Sequence, residues 1–571
     1  MKQFIRLEYS DCFPENPQEI SNYLQGISRH DLLRLCALFL TRKSETVYDY
    51  LSSYFTKENN EYINQLWRNL ENSKDNIDHY AITNIESSLR LYEYVFDNIN
   101  AVETTLSEPE IEMNVFKAYL LFNAQINSGD NTASESTKHI QEGRAKALLL
   151  AQMFQYFDIT NYRFRQELYV QTVKAIYLYE FLSSNEKTQL LYEKYLEYYN
   201  CADWQEFMQF MTSFAYIYWG RDDDQTYVNL LVDPSDKEYD KKCEFIEKLV
   251  IDAGIEDMDF RILRSHPIYK ESRGNYYFVY GYFLLELIYK GVYFKLNELN
   301  AKLPKNQQIK GFRSFYCDYF SEQTLLYNVL KDVYGKKYIQ MPGDYIKNEF
   351  GIIAEPDYYI RNGNKIFLFE SKDILIPSET KVSNDYENIS SELKKRLYYE
   401  EKRNGGIDNK AVLQLLNNTQ KILRKTAEWD QGYKEKNIRI YPIIILHDNI
   451  YNCPGINDLV RMWFEEELEK MREEYDVSRI ENITIINIDV FIVYKDLLQK
   501  SEGSLDKMIS SYHKYVSEDI AKKARTQEEA IKMYKDRIIS FEYYLSTKYS
   551  PDYKRMFMQV AKTYIKPQIR N

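Results

Sequence analysis

The sequence predicts a mainly α-helical N-terminal region, an α/β domain with a mixed sheet flanked by helices, and a C-terminal helical segment. Three observations carry this. Gly and Pro are scarce, 18 and 13 of 571 residues, which favours long helices with compact connections over a many-turned β architecture. Helical and β-branched apolar patterns alternate from roughly residue 305 to residue 500. The stretch 355–373, EPDYYIRNGNKIFLFESKD, reads as one β-hairpin. A chain of this length should hold several domains, with boundaries expected at 1–300, 301–503 and 504–571 and room for two subdomains in the first.

Within 1–300, DLLRLCALFL (31–40), AKALLLAQMFQYF (145–157) and YLYEFL (177–182) stand out as apolar helical patches on a polar background. No fixed-period repeat is visible. The polar run NSGDNTASESTK (127–138) is the best candidate for a loop or linker. Asp222-Asp223-Asp224 reads as an acidic loop tip, with cation binding as the alternative. FVYGYFLLELIYKGVYF (278–294) is apolar but rich in Tyr and interrupted by Lys290, so it reads as a buried helix and not a membrane span.

In the α/β region, Leu325, Leu326, Val329, Leu330 and Val333 lie at helical spacing and predict a helix over 314–334. An early strand is expected in 337–344, with Pro342 and Gly343 at its end. A helix is expected near 388–403 and another over 408–425, the latter with Val412, Leu415, Leu416, Thr419 and Leu423 on its apolar side. Lys410, Gln414, Asn417 and Lys421 fall on the opposite side. IRIYPIIILHD (438–448) and ITIINIDVFIVY (483–494) read as buried strands. The tail from 504 onward looks helical again.

The hairpin carries the chemistry. Asn362-Gly363 favours a two-residue type I′ turn, and counting outward pairs Arg361 with Asn364, Tyr359 with Ile366 and Asp357 with Leu368. Side chains alternate, so Leu368, Glu370 and Lys372 share the face of Asp357 while Phe367 and Phe369 point the other way. Asp357 and Glu370 become diagonal neighbours, close enough to close around one hard cation. Two carboxylates set together repel, and a metal or the Lys372 ammonium is the natural remedy.

Pro356-Asp357, twelve intervening residues and Glu370-Ser371-Lys372 at the end of an apolar strand resemble the signature of the PD-(D/E)XK nuclease superfamily, whose fold is restriction-endonuclease-like. The resemblance spans the motif and about two hundred residues around it, with helix, strand meander, helix and strand in the family's order. It implies Mg²⁺- or Mn²⁺-dependent cleavage of phosphodiester bonds, with DNA the expected substrate and an endonuclease the expected type. Asp357, Glu370, the Ser371 carbonyl and Glu322 would bind the metal, all oxygen ligands suited to a hard ion. Lys372 would orient the attacking water or stabilise charge growing on the phosphate. Glu322, from the preceding helix, is the candidate for the family's additional acid; at the edge of the apolar stripe it could equally reach water or cap the helix. Lys410, Gln414 and Lys421 on the later helix are candidate phosphate contacts, with a solvated polar face as the plainer reading. By analogy with similarly built members, anti-phage defence or restriction is the expected setting. The alternative is an inactive nuclease-fold scaffold that only holds nucleic acid or protein.

Net charge is −12, which argues against a nucleic-acid partner, but residues 301–440 carry 24 Lys and Arg against 19 Asp and Glu, and the remainder is −17. Lys394-Lys395-Arg396, Lys402-Arg403 and Arg424-Lys425 could meet phosphates or merely solubilise. The 54 Tyr are expected in cores and helix interfaces and not as base-stacking platforms. Six Cys without CxxC or zinc spacing fit reduced thiols in a cytoplasmic protein. The first residues lack the apolar core of a signal peptide. GxxxxGK[ST], HExxH and GxGxxG are absent, which leaves nothing to support an ATPase, a zinc protease or a dinucleotide enzyme. His447, at a strand end, reads as a hydrogen-bonded structural residue. The helical N-terminal half leaves room for a homo-oligomer or a protein partner, and no membrane association is expected.

Overall fold

A computed structural model describes residues 5–41, 46–220, 229–252, 254–255, 257–518, 523 and 525–565. Asp222-Asp223-Asp224 lies outside the described residues. The chain forms two compact units, one from 1–132 and 196–292, the other from 133–195 and 293–571. Among the described residues no helix is long and apolar enough to cross a membrane.

The first unit is mostly helical. It adds a three-stranded antiparallel sheet in which Asn275–Phe278 lies between Asn229–Leu231 and Ile268–Ser272, and a two-residue parallel pairing of Ile5–Arg6 with Tyr80–Ala81. The apolar stretch beginning at 278 is largely buried, with Phe294 exposed at its end, but is not one helix: it ends a strand and continues as Gly281–Glu286 and Lys290–Lys302. The linker expected at 127–138 is instead the end of a helix, Glu108–Ser136. Its hydroxyls turn back onto the preceding turn, Thr132 Oγ1 on the Ser128 carbonyl and Ser136 Oγ on the Ala133 carbonyl, so the polar composition is absorbed without breaking the helix.

The second unit is built on a mixed five-stranded sheet with helices around it. Its strands are β1 (Ile339–Pro342), β2 (Tyr358–Asn362), β3 (Lys365–Lys372), β4 (Arg439–Leu446) and β5 (Thr484–Asn487), in the spatial order β5-β4-β3-β2-β1. β2 is antiparallel to β1 and β3, whereas β4 is parallel to β3 and β5. The elements that position the site are α1 (Phe164–Ser184), a continuous helical run α2 over 312–334, α3 (Gly343–Phe350) and α4 (Ala411–Leu423). The middle of α2, Tyr316–Leu326, is wound as a π-helix, a form that gathers at functional sites.

Each sheet face is occupied as period-2 alternation requires. Tyr359, Ile366 and Leu368 join Ile440, Ile444 and the α4 residues Val412, Leu415, Leu416 and Ile422 in one buried core. On the other face Phe367 stacks on Tyr441 at 4.8 Å, Phe369 meets Phe491 edge-on at 6.2 Å, and Tyr358 packs against Tyr327 of α2. Two expected elements are shorter. The helix near 388–403 is Tyr386–Leu397, followed by a strand at Tyr399–Glu401. The strand expected over 483–494 ends at Asn487, whose Oδ1 accepts from the Asp489 amide at 3.0 Å and starts a helix over Asp489–Val493.

Candidate active site

The hairpin register differs from the expected one by two. Asn362 pairs with Lys365, Ile360 with Phe367 and Tyr358 with Phe369, which makes Gly363 and Asn364 the turn residues. Gly363 has φ 63° and neither asparagine has a positive φ, the pattern of a type II′ turn with glycine first and not of the expected type I′. Asn364 is fixed there by its side-chain amide, which donates to the Asn437 carbonyl at 2.7 Å. An even shift preserves faces. Continued past Tyr358, the observed register sets Asp357 directly opposite Glu370, where Cβ atoms of paired residues lie about 4.5–5.5 Å apart, instead of on the diagonal.

Asp357, Glu370 and Lys372 converge. Lys372 Nζ lies 3.1 Å from Glu370 Oε2 and 3.7 Å from Asp357 Oδ2. Asp357 Oδ2 accepts from the Ser371 amide at 2.7 Å, and the Asp357 carbonyl accepts from the amide of Gly343, the first residue of α3. At Gly343 a Cβ would lie 2.8 Å from the Pro356 carbonyl oxygen, so only glycine lets α3 begin this close to Asp357. Glu370 is 1 % exposed, and its second oxygen, Oε1, is buried without a hydrogen-bond partner. Burial, then the Asp357 charge, pushes the Glu370 carboxyl well above its usual range. Burial works against the charge on Lys372, but Asp357 and Glu370 overcome it and hold its pKa above the ordinary lysine value.

Glu322 belongs to this group. Burial and the nearby Asp357 raise its pKa to about 8, against the Tyr327 hydroxyl, which donates to Oε1 at 3.0 Å, and the Lys372 charge. Sequence reasoning missed Asp318, one helical turn earlier on the same stripe. Burial and Asp357 raise its pKa as well, while Lys347 lowers it. The adjacent stripe of α2 serves the other face: Ser321 Oγ donates to Asp373 Oδ2 at 2.6 Å and Cys317 Sγ lies 3.7 Å from the Asp373 carbonyl oxygen. Arg313 completes that cluster through Asp373 Oδ1 at 2.8 Å. His447, at the end of β4, meets Ser371 Oγ at 2.8 Å through Nε2, and burial lowers its pKa to about 4, so the ring is neutral.

The expected phosphate contacts do not form one solvated stripe. Lys410 is the residue before α4 and is paired with Asp408 at 2.6 Å and Glu400 at 3.3 Å. Gln414 is half-buried with Oε1 buried and unpartnered. Lys421 Nζ donates to the Ala354 carbonyl at 2.7 Å and to Asn418 Oδ1 at 3.2 Å. Burial lowers its pKa, opposed by the charges of Glu355 and Glu370, so Lys421 stands near the cluster. Other basic residues are also engaged: Arg396 with Glu392, Lys402 with Asp408, Arg424 with Glu474 and Lys425 with Glu435. Arg396 and Glu392 stand at helical i,i+4 spacing within one helix, whereas the Arg424–Glu474 pair joins residues fifty apart in sequence and has no local signal.

Among the described residues no group of three or more His, Cys, Asp or Glu side chains is arranged to hold a metal ion. A divalent cation nevertheless fits the donors present: Mg²⁺ is commonly held by one or two carboxylates, with water and substrate phosphate completing the shell. The unpartnered Oε1 of a buried Glu370, opposite a second carboxylate, is an oxygen donor of that kind. No family model, no curated protein and no solved structure matches this chain.

Proposed function

We propose that this protein is a metal-dependent hydrolase of phosphodiester bonds in nucleic acid, most simply a DNA endonuclease of the PD-(D/E)XK type with a restriction-endonuclease-like domain in its C-terminal half. One observation carries the reading: the Glu370 carboxylate, buried opposite Asp357 and bridged by Lys372, keeps an oxygen with no protein partner. A buried acceptor left open costs about 1–3 kcal/mol and so calls for a ligand.

In this mechanism Asp357 and Glu370 would hold Mg²⁺ or Mn²⁺, with the Ser371 carbonyl as a further donor and Glu322 contributing through water. When bound, such a cation would supply Lewis acidity toward the phosphate and lower the pKa of an attacking water. Lys372, kept charged by its two carboxylates, is a poor base and a good electrostatic partner for the negative charge that grows on the phosphate. Water adds to phosphorus and loses its proton to solvent through Glu322 in its ionised form, a fraction that grows as pH approaches the raised pKa of about 8, while the P–O bond to the leaving strand breaks and the departing oxygen takes a proton from solvent water. Defence against invading DNA is the biological setting that this reading suits.

The second reading is an inactive scaffold of the same fold. The ion pairs of Lys372 with both carboxylates favour it, because an ammonium can satisfy the acids without a metal. Incubating the protein with plasmid, linear duplex, single-stranded DNA and RNA, with Mg²⁺, Mn²⁺ or chelator, tests the first reading: cleavage that chelator abolishes is expected. Calorimetric titration with Mn²⁺ separates the two, since absence of binding favours the scaffold.

A further inference from the structure

Residues 351–356, GIIAEP, lead directly into Asp357 and set a strained residue beside an exposed apolar one. Ala354 adopts φ 62°, the left-handed region disfavoured for any residue with a Cβ. Ile353, its neighbour, is 88 % exposed. A residue with a Cβ stays in this backbone region only where surrounding contacts impose it, and such strain gathers at ligand clamps and active sites. The imposing contact is visible. Lys421, reaching across from α4, donates to the Ala354 carbonyl at 2.7 Å and to that of Ile353 at 3.5 Å, and Asn418 steadies its ammonium at 3.2 Å.

We infer that this segment is a substrate clamp, in which Lys421 latches Ala354 in its left-handed conformation and thereby holds Ile353 out beside the carboxylate cluster, against a base or sugar of the nucleic-acid strand. The inference rests on the hydrolase reading for the identity of the strand. It changes the part played by Lys421: its ammonium is spent on the loop, so it is a positioning residue and not a phosphate contact. An apolar tip suits a base or sugar face, since phosphate offers it nothing. Apolar side chains pressed against bases are an established way for proteins to grip DNA.

Two measurements test this on the full chain. The first is hydrogen exchange of the 351–357 amides without nucleic acid. Lys421→Met should exchange faster, and adding Ala354→Gly, which removes the penalty of positive φ, should recover part of the protection. The second uses a fluorescein-labelled DNA oligonucleotide, single-stranded and duplex, for binding by anisotropy and for cleavage with Mg²⁺. Ile353→Ser and Lys421→Met should each weaken binding and raise KM about tenfold with kcat little changed, and Lys421→Met/Ala354→Gly should bind more tightly than Lys421→Met alone. Wild-type KM and affinity in Ile353→Ser, or no rescue by Ala354→Gly in either measurement, overturns the clamp while cleavage by the wild-type protein leaves the hydrolase reading intact. Binding that Ile353→Ser weakens, without cleavage by any form, overturns the hydrolase and keeps the clamp. Absence of both binding and cleavage overturns both.

Discussion

The Ser371 amide donates to Asp357 Oδ2 across 2.7 Å, so the backbone of one hairpin strand fixes the rotamer of the carboxylate on the other. Asp357 thus has a structural hydrogen bond at one oxygen and proximity to Lys372 and Glu370 at the same end of the sheet.

The same oxygen takes the amide and faces Lys372, so paired substitutions are needed to separate fold from chemistry. Asp357→Asn retains an acceptor for the Ser371 amide and should melt within about 1 kcal/mol of the wild-type protein, whereas Asp357→Ala leaves the amide unmet and should lose about 1–3 kcal/mol. Both should lose metal-dependent cleavage by about 10²–10³-fold or more, and so should Lys372→Ala. Thermal melts and plasmid nicking, run on the same samples, check this. Equal residual cleavage in Asp357→Ala and Lys372→Ala, near the wild-type level, would refute the catalytic assignment.

Metal binding should depend on pH in a definite direction. Burial and Asp357 hold the Glu322 carboxyl protonated up to about pH 8 and push Glu370 well up, so loading a divalent cation must displace protons. Mn²⁺ affinity should rise from about pH 6 to about pH 8, with net proton release seen by calorimetry in buffers of different ionisation enthalpy. Stability of the metal-free protein runs the opposite way. A carboxyl whose folded pKa is raised binds more protons in the folded state, so the stability it contributes is present below its unfolded value near 4.5 and is lost as pH climbs to about 8. An Mn²⁺ affinity that falls with pH over this range would contradict the assignment of Glu322 and Glu370 to the site.

Most of this cluster was legible because strand alternation is insensitive to the error made. The turn was centred on Asn362-Gly363 when Gly363-Asn364 forms it, yet a slip of two returns every side chain to its face, and Asp357, Glu370 and Lys372 stayed together. Glu322 followed from helical spacing. Asp318 did not, since nothing in the sequence announces that Tyr316–Leu326 is wound as a π-helix or which of its stripes meets Asp357. The role of Lys421 was hidden for a different reason: a lysine on a polar stripe reads as solvated until the loop it grips, nearly seventy residues earlier in the chain, is seen beside it. The helical ending at 136 and the strand ending at 487 turned on side-chain capping of backbone groups, which composition alone does not reveal.

Away from the cluster, α1 carries a buried ion pair whose removal should be severe. Lys174 Nζ lies 2.5 Å from Asp489 Oδ1, both side chains almost fully enclosed, with the His447 carbonyl accepting from the same ammonium at 3.3 Å. Burial already raises the Asp489 carboxyl, and Glu167 and Glu542 beside it are pushed to about 8 and about 7 by burial and by the Asp489 charge. Lys174→Met strands these acids and should cost about 3–5 kcal/mol near pH 7.5. Near pH 5 the carboxyls take up protons and the deficit should shrink. Urea denaturation at the two pH values checks both statements, and a deficit that grows on acidification would contradict them.

Tyr327 ties the additional acid to α3, and its hydroxyl offers the sharpest test of where Glu322 stands. The O–H donates to Glu322 Oε1 at 3.0 Å, and its oxygen accepts from the Asp344 amide at 3.3 Å. That donor favours the ionised carboxylate and opposes the burial and the Asp357 charge that raise its pKa to about 8. Tyr327→Phe keeps the ring against Tyr358 and removes only the hydroxyl, so the loss of stability should be modest, about 1 kcal/mol. The Glu322 pKa should climb further, and the pH at which Mn²⁺ affinity reaches half its limit should move upward with it. Adding Glu322→Gln removes the titrating group, after which Tyr327→Phe should no longer move that midpoint. A midpoint that still moves in the Glu322→Gln background would assign the pH dependence to Glu370 alone and take Glu322 out of the metal's shell.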